Sequence, residues 1–329
     1  MKNLSIGKIR SLEQIANSNG ILTICAMDHR GSLRRMIATD QPERVGYEIL
    51  VERKLELCSV LAPHASAVLL DPEFGAAQCI SQGVIPGNTG LVVSVEDTSY
   101  SGGKESRTTE VLEGWSVEKI KRMGASAAKI LLYYRPDLEE LAAQQRRTVR
   151  LVAEGCLEQD LPFLVEPMSY PIGDDARHGG FKTRRPSLII ETARELTTLP
   201  IDVLKAEFPG DLDGKDESEL LEQCHRLDEA SQVPWVILSA GVNYETFRRQ
   251  VEIACRAGAS GFLGGRAIWQ EAMDIDNADE RMLYLSTTAV DRLDNLVEIA
   301  TKYATPWYKK FGGSISELVR ISEKWFKEY

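Results

Sequence analysis

A chain of 329 residues, 43% of them hydrophobic, is long enough to bury a large core, and one barrel of about 250 residues or more is an ordinary outcome at this length. The formal net charge of −10 repels polyanions, which argues against nucleic acid or an acidic membrane surface as a partner and requires any phosphate to be captured by local groups. Six cysteines stand singly in apolar or helical stretches without a CxxC pair, the N-terminal twenty residues lack an apolar signal core, and no run nears the roughly 18 apolar residues of a membrane span; a reduced, cytoplasmic protein is expected.

In chain order, short apolar runs alternate with amphipathic segments, the pattern of a parallel sheet wrapped by helices. Residues 21–27 (ILTICAM) read as a first strand, followed by Asp28, His29 and Arg30, and residues 42–61 as a helix. Strand two (67–70) leads into Asp71 and Glu73, and strand three (91–95) into Glu96 and Asp97. A helix over 116–123, capped by Ser116, precedes strand four (127–132), which contains Lys129. Asp137 is the expected cap of a helix over 137–157, and strand five (162–165) ends at Glu166 immediately before Pro167, which favours extended backbone at the glutamate.

The polar segment 171–186 (PIGDDARHGGFKTRRP) is long for a loop; after a fifth strand it would lie over the catalytic face as a lid or a substrate-contacting insertion. A helix over 187–196 opening on Ser187 leads to strand six (201–206) with Lys205, then a helix over 217–230 and strand seven (235–238) with Ser239 after it. A helix over 243–257 capped by Asn243 precedes strand eight (261–263), which runs into Gly265 and Arg266. Two further helices, 278–303 and 314–327, are expected outside the barrel. Eight strands with interleaved helices predict a single (β/α)8-barrel unit over 1–329, with its core at about 20–270 and C-terminal helices from about 278.

The C-terminal strand ends of such a barrel assemble the active site, and here they are unusually polar. A lysine inside a strand, such as Lys205 in 201-IDVLKAEF-208, is desolvated if it points inward, and a neutral amine attacks a ketone to give an iminium ion that permits carbon–carbon cleavage. The structural alternative is a pair with Glu207 two residues on, on the same strand face. Lys129 offers a second intra-strand cation, which lowers the pKa of whichever lysine is less solvated; a barrel-core ion pair with a carboxylate explains it equally well. Glu166 suits a proton shuttle that alternates between base and acid, with a purely structural strand-end glutamate as the alternative.

The segments 238-LSAGV-242, with Ser239 and Gly241, and 261-GFLGGRAIW-269, with Gly265, have the small residues through which backbone amides approach an anion, and Arg266 adds a bidentate partner; a glycine pair alone is commonly just a turn, but two such segments at the ends of strands seven and eight favour a phosphate site. The four histidines are scattered without HxH or HxxxH spacing, and neither a GxGxxG fingerprint nor a GxxxxGK[ST] loop is present, so no metal, nucleotide or other cofactor is expected.

Together, 26-AMDHRGSLRRM-36, 65-ASAVLLDPEFG-75, 127-AAKILLYY-134, 162-PFLVEPMSY-170, 203-VLKAEFP-209, 235-WVILSAGV-242 and 261-GFLGGRAIW-269 resemble the tagatose 1,6-bisphosphate aldolase family of class I aldolases, in order over residues 20–307. The resemblance implies a metal-independent lyase that gives glycerone phosphate and glyceraldehyde 3-phosphate from D-tagatose 1,6-bisphosphate, a phosphorylated ketose. It makes Lys205 the Schiff-base lysine, Glu166 the acid/base and Lys129 an assisting lysine. It also matches Asp28 to the carboxylate after strand one, and Ser239, Gly265 and Arg266 to the 1-phosphate site.

His29 stands where the family motif more often reads Asp-Gln-Arg-Gly, a changed polar contact near the substrate. The segments 164-LVEP-167 and 258-GASGFLGGRAIW-269 also resemble sister aldolases of 6-deoxy-6-sulfofructose 1-phosphate, so the distal anion distinguishes the two readings. Candidates to bind it are His29, Arg30, Lys182, Arg184 and Arg185. A rival of another class is a non-catalytic sugar-phosphate sensor, which need retain neither Lys205 nor Glu166. A homo-oligomer is expected from the apolar faces of the C-terminal helices.

Overall fold

Eight strands, each buried along nearly its whole length, form a closed parallel barrel in the order β1 to β8: β1 (Leu22–Ala26), β2 (Ala67–Leu70), β3 (Gly90–Ser94), β4 (Ala127–Tyr133), β5 (Phe163–Met168), β6 (Val203–Ala206), β7 (Trp235–Leu238) and β8 (Gly261–Gly264). The computed structural model describes every residue except 1–3, 100–102, 104–105, 174–179, 213, 215, 320 and 328. Strands covered by helices on one side and a filled interior on the other are apolar throughout rather than alternating, which is why the runs stand out in the sequence. The expected (β/α)8 barrel with additional C-terminal helices is the architecture observed.

The seam closes where Leu22 pairs with Gly261 and Ile24 with Leu263. Gly261 has φ +131°, and a β-carbon there would lie 2.0 Å from the Leu22 carbonyl oxygen. Only glycine allows that approach.

A helix that the sequence reading did not anticipate, Ile6–Gln14, covers the N-terminal ends of the strands. Its buried Lys8 Nζ lies 2.7 Å from the buried Asp202 carboxylate, which also accepts the Phe163 amide at 3.0 Å. The short helices Gly31–Ile37 and Ala76–Ser81 were likewise unexpected.

Several boundaries differ from expectation for local reasons. The segment 42–61 divides into a 3-10 turn, Pro42–Arg44, and the helix Tyr47–Leu61. Asp137 does not cap: it grips the Arg135 guanidinium with both oxygens at 2.8 Å, and Glu139–Glu158 begins on Leu138. The helix Gly180–Leu196 starts seven residues before Ser187 and contains Pro186, so the last part of the expected loop is helical; residues 174–179 of that loop lie outside the described residues. Ser187 is therefore internal and its hydroxyl donates to the Arg184 carbonyl at 2.7 Å. Ser116 and Asn243 do cap their helices, accepting the Lys119 and Thr246 amides at 3.3 and 2.9 Å.

The long C-terminal helix is helical throughout, Ala278–Tyr284 passing through a π-helical turn, Leu285–Ala289, into Val290–Tyr303. The expected helix over 314–327 is not formed. One capped turn, Ile315–Leu318, buries Leu318, and beyond it Ile321, Trp325 and Phe326 are exposed, leaving no apolar stripe against the core to stabilise a helix. All six cysteines are buried and unpaired, and among the described residues no helix is long and apolar enough to cross a membrane.

Candidate active site

Side chains that alternate inward along the upper halves of the strands open a cavity of about 570 Å³ at the C-terminal end of the barrel. Lys129 sits deepest, fully buried, with its ammonium 2.8 Å from Asp28 Oδ2, 2.7 Å from Glu96 Oε1 and 2.8 Å from Glu166 Oε2. The other Glu166 oxygen is 2.7 Å from Lys205 Nζ. From β5, one carboxylate thus bridges two buried lysines on the flanking strands β4 and β6.

This electrostatic balance corrects one expectation. Burial disfavours the charged form of Lys129, but Asp28, Glu166 and Glu96 outweigh it and hold the ammonium well above its ordinary pKa, so the less solvated lysine is raised rather than lowered. Reciprocally, burial would raise the Asp28 carboxyl, yet Lys129, Lys205 and His29 keep it below the ordinary carboxylate range. Lys205 does not pair with Glu207, which instead accepts from Ser169 at 2.6 Å and Arg185 at 2.9 Å.

The segment after β1 is fixed from behind. Lys54, buried on the helix Tyr47–Leu61, donates to the Met27 and His29 carbonyls at 2.6 and 2.8 Å and pairs with buried Asp71. Asp28 is thereby presented to Lys129, while His29 packs edge-on against Trp269 with ring centroids 5.2 Å apart. Burial pushes the His29 imidazole down to about 3, reinforced by Arg266 and Lys54 and only partly opposed by Asp28, so it is neutral near pH 7. Its buried Nδ1 has no hydrogen-bond partner among the described residues. Arg30 borders the same cavity, but its guanidinium donates to Glu73 at 2.6 Å and to the Glu96 carbonyl at 2.5 Å.

Ser239, Gly265 and Arg266 converge on the cavity from the ends of β7 and β8, beside β1. Gly241 has φ +79°, and a β-carbon there would meet the Arg266 guanidinium carbon at 2.9 Å; a β-carbon on Gly265 would meet the Ala26 carbonyl and His29, both at 2.9 Å. Two glycines therefore let Arg266 lie on the β7 turn and the chain pass close to β1. The buried Nε of Arg266 has no partner among the described residues. The helix it opens, Arg266–Trp269, is a single turn.

Of the sequence-derived residues, Asp28, His29, Arg30, Lys129, Glu166, Lys205, Ser239, Gly265 and Arg266 line this one cavity, and Gly241 supports it through Arg266. The basic group expected at a distal anion does not: Lys182 pairs with Asp211, Arg184 with Asp137 and Arg185 with Glu207. The sequence reading underused Glu96, whose buried carboxylate completes the set around Lys129, and missed Arg35 and Arg107. Glu96 had a legible signal, a charge directly after a buried strand; Arg107 had none.

Residues 22–271 match the DeoC/LacD family of aldolases. Tagatose 1,6-diphosphate aldolases of Staphylococcus aureus, in strains MSSA476 and JH9, are each 31% identical over 326 residues, spanning 92% of this chain and 98% of the relative. Among solved structures, an archaeal fructose 1,6-bisphosphate aldolase superposes with TM-score 0.60 at 19% identity, covering 90% of this chain and 99% of its own. The fructose-bisphosphate aldolase of Plasmodium falciparum does so with TM-score 0.71 at 14% identity, covering 92% and 98%. At those identities the structural likeness speaks for the barrel alone, whereas the sequence match over most of the chain speaks for descent: the chain belongs to the DeoC/LacD aldolase family and is an aldolase.

Proposed function

We propose that this aldolase cleaves D-tagatose 1,6-bisphosphate to glycerone phosphate and D-glyceraldehyde 3-phosphate through an iminium ion on Lys205. The observation that carries the reading is the bridge of Glu166 between Lys205 at 2.7 Å and Lys129 at 2.8 Å, within a cavity that also holds Arg266. The tagatose 1,6-diphosphate aldolases similar over 92% of the chain support the choice of ketose.

Lys205, once its amine is free of its proton, attacks C2 of the ketose. Glu166 is within hydrogen-bond reach of that nitrogen and returns the proton to the carbinolamine hydroxyl, which leaves as water. The resulting iminium accepts the electron pair of the C3–C4 bond as Glu166 removes the C4 hydroxyl proton, releasing the aldehyde and leaving an enamine. Protonation of C3 by Glu166 and hydrolysis of the iminium release glycerone phosphate and restore Lys205. Lys129 stays charged throughout, fixing the orientation of Glu166 and balancing the buried carboxylates. Arg266, Ser239 and the amides of the β7 and β8 turns take the 1-phosphate, which anchors C2 beside Lys205.

The test is borohydride reduction in the presence of glycerone phosphate, followed by peptide mass spectrometry. A ligand-dependent secondary amine on Lys205 is expected. An active enzyme that yields no adduct there overturns the mechanism.

A further inference from the structure

A ketose carrying anions at both ends needs a second anion site. The cations around the cavity are mostly engaged: Lys129 and Lys205 with carboxylates, Arg30 with Glu73 and the Glu96 carbonyl, Arg266 against the β7 turn. Two arginines on the cavity wall remain, Arg35 and Arg107, and neither meets a carboxylate among the described residues.

We propose that Arg107, assisted by Arg35, forms the distal-anion site and receives the tetrahedral phosphate or sulfonate on the far end of the substrate. This assignment rests on the aldolase reading above. Along β4 the inward positions Lys129, Leu131 and Tyr133 line the cavity in successive layers. Tyr133 therefore lies about 13 Å above Lys129, toward the mouth, at about 3.3 Å per residue. The Arg107 guanidinium lies over the Tyr133 ring, 4.6 Å from its centroid. A guanidinium held over an aromatic ring by cation–π attraction keeps N–H groups available for a bidentate anion.

The arginine is also fixed at its backbone. Gln145, nearly fully buried, donates to the carbonyls of both Arg107 and Tyr133, at 3.3 and 3.4 Å. The chain beyond Arg107 is tied back to the end of β3, with the Leu112 amide on the Val95 carbonyl and the Asp97 amide on the Glu110 carbonyl, both at 2.9 Å. Arg35 lines the same cavity from the helix Gly31–Ile37; its Nη1 lies 3.6 Å from where a β-carbon on Gly31 would be, so it folds back along its helix. A cation held over an aromatic ring, on a backbone fixed by a buried amide, is pre-organised, and an anion engaging it costs the protein little freedom.

The test compares wild type with Arg107→Ala and Arg107→Lys on three substrates: D-tagatose 1,6-bisphosphate, D-tagatose 1-phosphate and 6-deoxy-6-sulfofructose 1-phosphate. For Arg107→Ala, kcat/KM on the preferred doubly anionic substrate should fall about 30- to 100-fold, as expected for loss of a charge-assisted contact. Tagatose 1-phosphate cleavage and the borohydride adduct with glycerone phosphate, neither of which involves a distal anion, should change less than about threefold on the same grounds. Arg107→Lys should recover part of the loss, and the larger loss, on phosphate or on sulfonate, identifies the anion. Equal losses with and without the distal anion, or no loss on either doubly anionic substrate, overturn the assignment. Failure of wild type to form the Lys205 adduct would instead overturn the parent reaction, and this assignment with it.

Discussion

Replacing Lys129 with methionine removes the ammonium at the centre of the site while nearly conserving its volume, so the result reports charge rather than a cavity. Asp28, Glu96 and Glu166, each within 2.7–2.8 Å of that ammonium in wild type, are left facing one another in the barrel interior. Breaking a buried pair by deleting one partner typically costs about 3–5 kcal/mol. At roughly 2.1 cal/mol/K per residue, a chain of 329 residues unfolds with an entropy near 0.7 kcal/mol/K, so the variant should melt about 4–7 °C below wild type at pH 7.

The pH dependence separates charge from packing. In wild type the depressed Asp28 carboxyl contributes stability that is complete above the ordinary carboxylate pKa of about 3.9 and is withdrawn as pH falls through its lower folded value. In Lys129→Met the largest part of that depression is removed and burial, opposed only by Lys205 and His29, pushes Asp28 up, so the folded variant should bind a proton in mild acid that the unfolded chain does not. The variant is therefore stabilised on going from pH 7 toward about pH 5, and the gap from wild type should narrow. Differential scanning fluorimetry across that range reads both effects. A variant as stable as wild type at pH 7, or a gap independent of pH, would refute the view that Lys129 balances three buried carboxylates.

His29 gives the opposite test. With its pKa lowered to about 3 in the folded state, against about 6.5 unfolded, its neutral burial contributes stability present above pH 6.5 and lost as pH falls from there toward 3. His29→Gln should therefore lose less melting temperature than wild type between pH 7 and about pH 4, and identical slopes would show that the imidazole is not held neutral. At Gly241, substitution by alanine forces a side chain into φ +79° and against the Arg266 guanidinium at 2.9 Å. The strain costs about 1–2 kcal/mol, and a displaced arginine should raise KM for glycerone phosphate in the addition direction roughly tenfold or more. Unchanged KM would remove Arg266 from the 1-phosphate site.

The barrel was legible because strands buried on both faces leave continuous apolar runs, and a lysine or glutamate inside such a run is conspicuous. That is how Lys129, Glu166 and Lys205 stood out before their contacts were known. The helices were less legible where the burial pattern mixes chemistries. Ile6–Gln14 buries Lys8 and Ser11 beside Ile9 and Leu12, so its inner face does not read as an apolar stripe, because the lysine is satisfied by Asp202 at 2.7 Å, far along the chain. The start of Gly180–Leu196 was hidden by Pro186, whereas the segment after Ser314 shows the converse, apolar residues with no surface to cover.

The arginines show where local reading ends. Arg30 and Arg35 lie five residues apart after the same strand, and nothing in their immediate sequence ranks one above the other as an anion ligand. Their difference is set across the barrel: Glu73 after β2 and the Glu96 carbonyl after β3 engage Arg30, and no such partner reaches Arg35 among the described residues. Arg107 depends likewise on Tyr133 and Gln145, which follow it in the chain by 26 and 38 residues. Residue type at a strand end specifies which chemistry a barrel position can perform. Whether a charged group is free to perform it depends on neighbours brought together only when the strands close, and that closure distinguishes a structural arginine from one available to substrate.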